Sequence, residues 1–295
     1  MTRVVLPVLA LAVVLTACSG SSTRRADDPV VTAVPAAASG SVKVVATGDI
    51  VCPRGAEVTR TKCRHEATAR LTGRIDPDHV IPLGDLQYEK GRLRAFRRVY
   101  DDSWGAFKQI TEPVPGNHEY QVPDANGFFG YFGTEAPGYY AWDAGSWRVY
   151  NLNAACDHVD CAAQVEWLRD DLTAHPRTCS MIVMHRPRYS SGLHGSDPTV
   201  RRFWRIAFRH RVDVALAGHD HDYERFLRMN HRGEDPTRPG NPLVRLRHRR
   251  EVVVPQGEAP ARVGVLRVTA GRGAGAGARR GGRAVALPHH RPADP

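Results

Sequence analysis

Short apolar runs that end in glycine or histidine alternate along the chain with stretches whose apolar residues recur every three to four positions. The runs are Val42 to Thr47, ending at Gly48-Asp49; His79 to Leu83, ending at Gly84-Asp85; Pro113 to Pro115, ending at Gly116-Asn117-His118; Met181 to Met184, ending at His185; and Val212 to Leu216, leading into Gly218-His219. Each reads as a short or buried strand. Between them His65 to Leu71 reads as a helix. Leu93, Phe96, Tyr100, Trp104 and Phe107 mark one amphipathic helix with its stripe on the core, and Gln164, Trp167, Leu168 and Leu172 mark another. Ser196-Asp197-Pro198 supplies a cap and a first-turn proline for the stripe Val200, Phe203, Trp204, Ala207 and Phe208. Two alternating runs between Tyr139 and Leu152, around Gly145-Ser146, predict an antiparallel hairpin. Strands alternating with helices predict an α/β fold with a largely parallel, layered sheet, whose ligands collect at the carboxyl ends of its strands.

The two ends of the chain fall outside this pattern. Arg3 and the apolar run Val4 to Thr16, too short to span a bilayer, precede Leu15-Thr16-Ala17-Cys18. That tetrapeptide resembles a bacterial lipoprotein signal in which Cys18 carries the lipid; an ordinary secretory signal with an incidental cysteine is the alternative. Both export the chain. The expected organisation is a signal over 1–18, a Ser/Ala/Pro-rich tether over 19–41, a folded domain over 42–230, and an atypical tail over 231–295. The lipoprotein reading places the protein at the cell surface, anchored on the extracytoplasmic face of the membrane. Export permits disulfides, and close spacing suggests Cys52 with Cys63 and Cys156 with Cys161. Cys179 is then left over, a small buried residue at a strand start.

Charge changes little. The net charge is +10, but residues 231–295 hold 13 arginines against 5 acidic residues, so most of the excess belongs to the tail. A nucleic-acid or anionic-lipid arm is one reading of that tail, yet no aromatic residue is interleaved with its arginines, and no nucleic-acid partner is expected. With no Phe, Tyr, Trp or Ile beyond Phe226, the tail is expected to lack enough apolar surface to order itself.

The strand ends carry the chemistry. Asp49, Asp85, Asn117, His118, His185, His219 and His221 put two carboxylates, an amide and four imidazoles at one edge. Singly, an aspartate there is an ordinary helix cap, Asn117 a turn residue and His185 a packed histidine. Together, hard oxygen and borderline nitrogen donors suit two divalent or trivalent metals, with an aspartate able to bridge them.

The ordered set Gly48-Asp49, Gly84-Asp85-Leu86-Gln87-Tyr88, Gly116-Asn117-His118-Glu119, Met184-His185 and Gly218-His219-Asp220-His221 resembles the calcineurin-like metallophosphoesterases, and within them the purple acid phosphatases. Val51 stands where many relatives have a histidine, and Tyr88 stands three residues after Asp85, where purple acid phosphatases have a tyrosinate on ferric iron. The resemblance implies a layered α/β/β/α sandwich of mixed sheets, incomplete at its C-terminus. It implies that Asp49, Asp85, Tyr88 and His221 hold Fe(III) while Asn117, His185 and His219 hold Fe(II), Zn or Mn, with Asp85 bridging. It further implies that His118 and His194 act on the phosphate and the leaving group, and that a metal-bridging hydroxide hydrolyses phosphate monoesters. A phosphodiesterase or nucleotidase, and a non-catalytic lipoprotein that binds metal or phosphate, are the alternatives. The Thr-Gly-Gly segment usual after the last histidine motif is missing. Written in GC-rich codons, Arg247 to Pro255 can be read one base later as a stretch containing Thr-Gly-Gly-Lys-Ser-Ser-Tyr-Pro, so a frame slip between Met229 and Arg247 is expected.

Overall fold

The computed structural model describes residues 42–60, 62–133, 138–177, 179–226 and 229–234 with their side chains, and the backbone of 12–15, 41, 251–255 and 264–269. In chain order the elements are β1 (Ala12–Leu15), β2 (Ser41–Thr47), α1 (His65–Ile75), β3 (His79–Pro82), α2 (Leu93–Ala95), α3 (Asn126–Phe132), β4 (Tyr140–Ala144), β5 (Trp147–Asn151), α4 (Cys161–Ala174), β6 (Cys179–Val183), α5 (Arg201–Arg209), β7 (Val214–Leu216), β8 (Tyr223–Phe226), β9 (Glu251–Pro255) and β10 (Gly264–Thr269). They form two sheets, ordered β1-β10-β2-β3 and β4-β5-β6-β7-β9-β8.

Strand alternation sorts the apolar residues into three layers. Ile81 and Leu83 of one sheet face Val149, Met181, Val183, Val214 and Leu216 of the other across the sandwich interior. Their chain neighbours point outward: Val80 joins Phe96, Tyr100, Trp104 and Phe128, while Tyr150, Ile182 and Ala215 join Leu168 of α4 and Phe203 and Ile206 of α5. A strand buried on both faces must be apolar at successive positions, which is why these runs read as continuous rather than alternating. The result is the α/β/β/α arrangement, with mixed sheets: β2 with β3, β5 with β6 and β6 with β7 are parallel, β4 with β5 and β8 with β9 antiparallel. Two sheets thus replace the single, largely parallel one that strand-helix alternation suggests.

Local departures have identifiable causes. The helix expected over Leu93 to Phe107 is broken into α2, a π-type turn over Phe96–Tyr100 and a 3-10 segment over Trp104–Ile110. The polar turn formers Asp101, Asp102 and Ser103 interrupt it, although Phe96, Tyr100 and Trp104 remain fully buried. Pro113 to Pro115 forms only one isolated bridge, Leu83 to Val114, with a second just before it, Val80 to Thr111, because two prolines remove ladder donors. Cys52–Cys63 and Cys156–Cys161 are disulfides, each with Cα atoms 5.3 Å apart, as the spacing predicts. Cys179 is also disulfide-bonded rather than a leftover thiol.

The tail contributes order that its composition does not announce. Glu251–Pro255 pairs with β7 and β8, and Gly264–Thr269 pairs antiparallel with β2. Both are the β-branched runs of an otherwise Arg/Gly/Pro-rich segment, and open sheet edges accept such runs. Ala12–Leu15, inside the stretch expected to be a signal, pairs parallel with β10 through the same valines that suit an apolar signal core. Cys18, the tether over 19–40 and the rest of the tail beyond Glu234 lie outside the described residues. Among the described residues no helix is long and apolar enough to cross a membrane.

Candidate metal centre

Four of the site's donors sit where strands end. β2 releases the chain into Gly48-Asp49, β3 into Asp85, β6 into His185 and β7 into His219. Asp49, Asp85, His219 and His221 all have positive φ, 55°, 49°, 85° and 54°, a conformation that costs a non-glycine residue energy and that collects at functional sites. Close approach explains the glycines beside them. A Cβ on Gly116 would lie 2.2 Å from Asp85 Oδ1, and one on Gly218 would lie 2.7 Å from the Leu83 carbonyl oxygen and 3.1 Å from Asp49 Oδ2.

The side chains meet in two groups. In one, the Tyr88 hydroxyl is 3.1 Å from Asp49 Oδ1 and 3.0 Å from His221 Nε2, and His221 Nε2 is 3.3 Å from Asp49 Oδ1. In the other, His185 Nε2 lies 3.1 Å from Asn117 Oδ1, 3.2 Å from Asp85 Oδ2 and 3.2 Å from His219 Nδ1. The sheets are stitched together here: the His219 amide donates to Asp49 Oδ2 at 3.0 Å, and His185 Nδ1 donates to the Leu83 carbonyl at 2.8 Å. His118 lies at the edge, its amide donating to Asp85 Oδ1 at 2.8 Å and its Nε2 3.9 Å from Asp85 Oδ2. The His194 ring lies 4.7 Å from that of His219 and 6.2 Å from that of His221. All nine side chains singled out in the sequence for metal or phosphate chemistry therefore gather in one region.

The second group shows what it is suited to hold. Because His185 Nδ1 carries its hydrogen toward Leu83, a neutral ring presents only a lone pair at Nε2, against a carboxylate oxygen, an amide oxygen and another imidazole nitrogen. With His185 neutral, carboxylate, amide and imidazole lone pairs converge at one point, a donor set suited to a cation. Asp85, His185 and His219 alone bring ligating atoms within 4.8 Å of one another. The protein's own charges respond accordingly. Burial works to lower His185, but Asp85 and Asp49 outweigh it and raise it to about 9. Burial likewise works to raise Asp85, but His185 and His118 bring it down to about 2. Burial and the charge of His185 lower His219 to about 4, and burial with Asp49 and Asp85 raises the Tyr88 phenol. The opposed shifts of Asp85 and His185 mark a place where positive charge is favoured, which a metal ion would supply.

Two residues carry the arrangement without having been assigned a role from the sequence. Glu119 is fully buried and accepts four backbone N–H groups: Leu86 at 2.9 Å and Gln87 at 3.3 Å on Oε1, Asp85 at 2.9 Å and Gly116 at 2.8 Å on Oε2. It ties the Asp85 turn to the Asn117 turn. Burial and the nearby Asp85 charge push its carboxyl up to about 7, against these four donors. The other is Asp220, also buried, between the two histidines of the last motif. An acidic side chain beside each histidine motif is the one sequence signal that could have drawn attention to them.

The family model of calcineurin-like phosphoesterases matches residues 42–223. Among known proteins, purple acid phosphatase 23 of Arabidopsis thaliana is 32% identical over 208 residues, covering 56% of this chain and 45% of that one. The same plant's protein named probable inactive purple acid phosphatase 9 is 26% identical over 215 residues, covering 57% and 32%. The chain thus spans less than half the length of these relatives. Among solved structures, purple acid phosphatase PPD1 from yellow lupin (Lupinus luteus) seeds has a TM-score of 0.54 at 18% identity, covering 80% of this chain and 47% of that one, which is a likeness of fold. The family match takes in the strand ends of both sheets that carry these donors, from Asp49 to His221, and the chain belongs to the calcineurin-like phosphoesterase family.

Proposed function

We propose that this chain is an exported, metal-dependent phosphoesterase that hydrolyses phosphate monoesters at a dinuclear centre, in the manner of purple acid phosphatases. The observation that carries the reading is the convergence of acceptor side chains from both sheets into two adjoining groups. Asp49, Tyr88 and His221 would hold Fe(III), for which carboxylate and phenolate oxygens are suitable hard donors; Asn117, His185 and His219 would hold Fe(II), Zn or Mn; Asp85 would serve both. When bound, the metal pair supplies positive charge against the phosphoryl oxygens and makes water acidic enough to attack phosphorus.

The chain's own residues handle the substrate. His118 Nδ1 is 2.6 Å from the Glu89 carbonyl and carries a hydrogen toward it, which leaves Nε2 on the Asp85 side to hold the transferable proton. As the ester P–O bond breaks, Nε2 gives that proton to the departing oxygen, general acid work worth about 10²–10⁴ in rate. His194, beside His219 and His221, binds the phosphate and completes the pocket wall. The test is elemental analysis of the purified protein coupled to phosphate release from a panel of monoesters and diesters. Two metals per chain with monoester turnover is the expected result, and metal-replete protein without turnover on any ester defeats it. That last outcome favours a non-catalytic metal or phosphate binder, a reading kept open by the relative named probable inactive.

A further inference from the structure

The segment that carries His219 and His221 places a carboxylate between them, and that carboxylate reaches the loop bearing His194. Asp220 is 4% exposed. Its Oδ1 accepts the His194 backbone N–H at 2.6 Å, and its Oδ2 accepts the Gly195 N–H at 3.1 Å together with the Ser190 hydroxyl. Ser190 Oγ in turn accepts the Gly192 N–H at 3.0 Å. The approach depends on Gly192, since a Cβ there would lie 2.6 Å from Asp220 Cγ. One residue further out, Glu224 repeats the pattern by accepting the Ser191 N–H and hydroxyl. A buried carboxylate is retained only with such donors around it, and three donors from one loop hold that loop's backbone in a single place.

We propose that Asp220 is a positioning residue for His194. His219 and His221 turn toward His185 and Asp49, while Asp220 turns toward the 190–195 loop, so three consecutive residues set the metal side and the phosphate side of the pocket in register. The geometry stands independently, and its catalytic consequence rests on the phosphoesterase reading.

The test compares zinc-loaded wild type, Asp220→Ala, Asp220→Asn, Ser190→Ala, His194→Ala and the double variant Asp220→Ala/His194→Ala. Asp220→Ala should keep its zinc yet weaken KM for p-nitrophenyl phosphate and inhibition by inorganic phosphate about 10–100-fold, the scale on which misplacement of a group by about 1 Å acts. The double variant should lose no more than His194→Ala, because both changes remove one function. Asp220→Asn, which keeps one acceptor oxygen, should recover part of the loss. Ser190→Ala, which removes a single donor and spares the fold, should show a smaller loss of the same kind. The His194 imidazole resonance, assigned by its disappearance in His194→Ala, should shift in Asp220→Ala and Ser190→Ala. Unchanged KM and resonance in Asp220→Ala, or losses that multiply in the double variant, would overturn the proposal. Metal-replete wild type without turnover would instead defeat the phosphoesterase reading, and the resonance would still decide the role of Asp220.

Discussion

Exchanging Glu119 for glutamine removes half of the anchor that joins the Asp85 turn to the Asn117 turn while leaving its shape intact. Whichever way the new amide points, its NH2 faces two backbone N–H groups that it cannot accept. The cheaper orientation gives up Oε1, with Leu86 N at 2.9 Å and Gln87 N at 3.3 Å, and keeps Asp85 N and Gly116 N on the remaining oxygen. Two buried donors left unmet cost about 1–3 kcal/mol each. Relief from burying a charge, which holds the Glu119 carboxyl up to about 7, offsets part of this and favours the lower half, about 2–4 kcal/mol. Against a typical stability of about 5–15 kcal/mol, that is a large fraction. In urea the unfolding midpoint should fall by about 1–2 M, given a slope of about 1–3 kcal/mol/M. Metal affinity should fall with it, because the Asp85 and Asn117 turns lose their common tie. A variant whose midpoint and metal content match wild type would refute the assignment of Glu119 as the link between these turns.

Other outcomes are expected. His219→Ala combined with His221→Ala should abolish metal content and phosphate release together, and turnover surviving the pair would exclude both as ligands. Iron-loaded active protein should show a visible charge-transfer band that Tyr88→Phe removes; an active iron-loaded wild type lacking the band would place Tyr88 outside the coordination sphere. Gly116→Ala, whose Cβ would lie 2.2 Å from Asp85 Oδ1, should cost about 1–3 kcal/mol and weaken metal binding, and an unchanged melting temperature would contradict the close approach. Arg148 grips Asp171 through Nε at 2.7 Å and a second nitrogen at 2.9 Å, tying β5 to α4. Burial works to raise the Asp171 carboxyl, and Arg148 more than reverses it, so the folded-state pKa lies below the ordinary value. A lowered folded-state pKa gives stability that is complete above the unfolded pKa of about 3.9 and lost as the pH falls through the folded one. Asp171→Asn should therefore destabilise by about 1–3 kcal/mol near neutrality, with the difference from wild type shrinking under acid titration.

The strand ends were legible because each couples a short apolar run to a donor, usually through a glycine: the run supplies burial, the glycine close approach, and Asp49, Asp85, Asn117, His185 and His219 the chemistry. Parallel pairing, of β2 with β3 and of β6 with β7, then brings those ends to one edge with little dependence on the intervening loops. The stripe from Leu93 to Phe107 kept its burial but not its helix, because spacing reports which residues face the core and not whether the backbone between them stays hydrogen-bonded through Asp101-Asp102-Ser103. α3 went unread: Gly127 and Gly130 dilute its pattern, and its aromatic residues occur in pairs rather than as a stripe. Glu119 and Asp220 were hidden for a different reason. Their partners are backbone amides, which every residue but proline has, so no pairing of residue types along the chain reveals them. The two tail strands show the limit of composition as a guide, since an average over 65 residues conceals two runs of five and six.

The hydrogen bond from His219 to Asp49 spans 170 positions of the chain, and the donors around it come from both sheets. A ribosome releases Asp49 long before His219 and His221, so an emerging chain owns half a binding site for most of its synthesis. With metals loaded as proposed, capture of the full pair is deferred until the seventh strand has been delivered and the halves have docked. Ion uptake then serves as a late proofreading step, withheld from nascent or half-assembled chains and granted only to those whose two layers have closed.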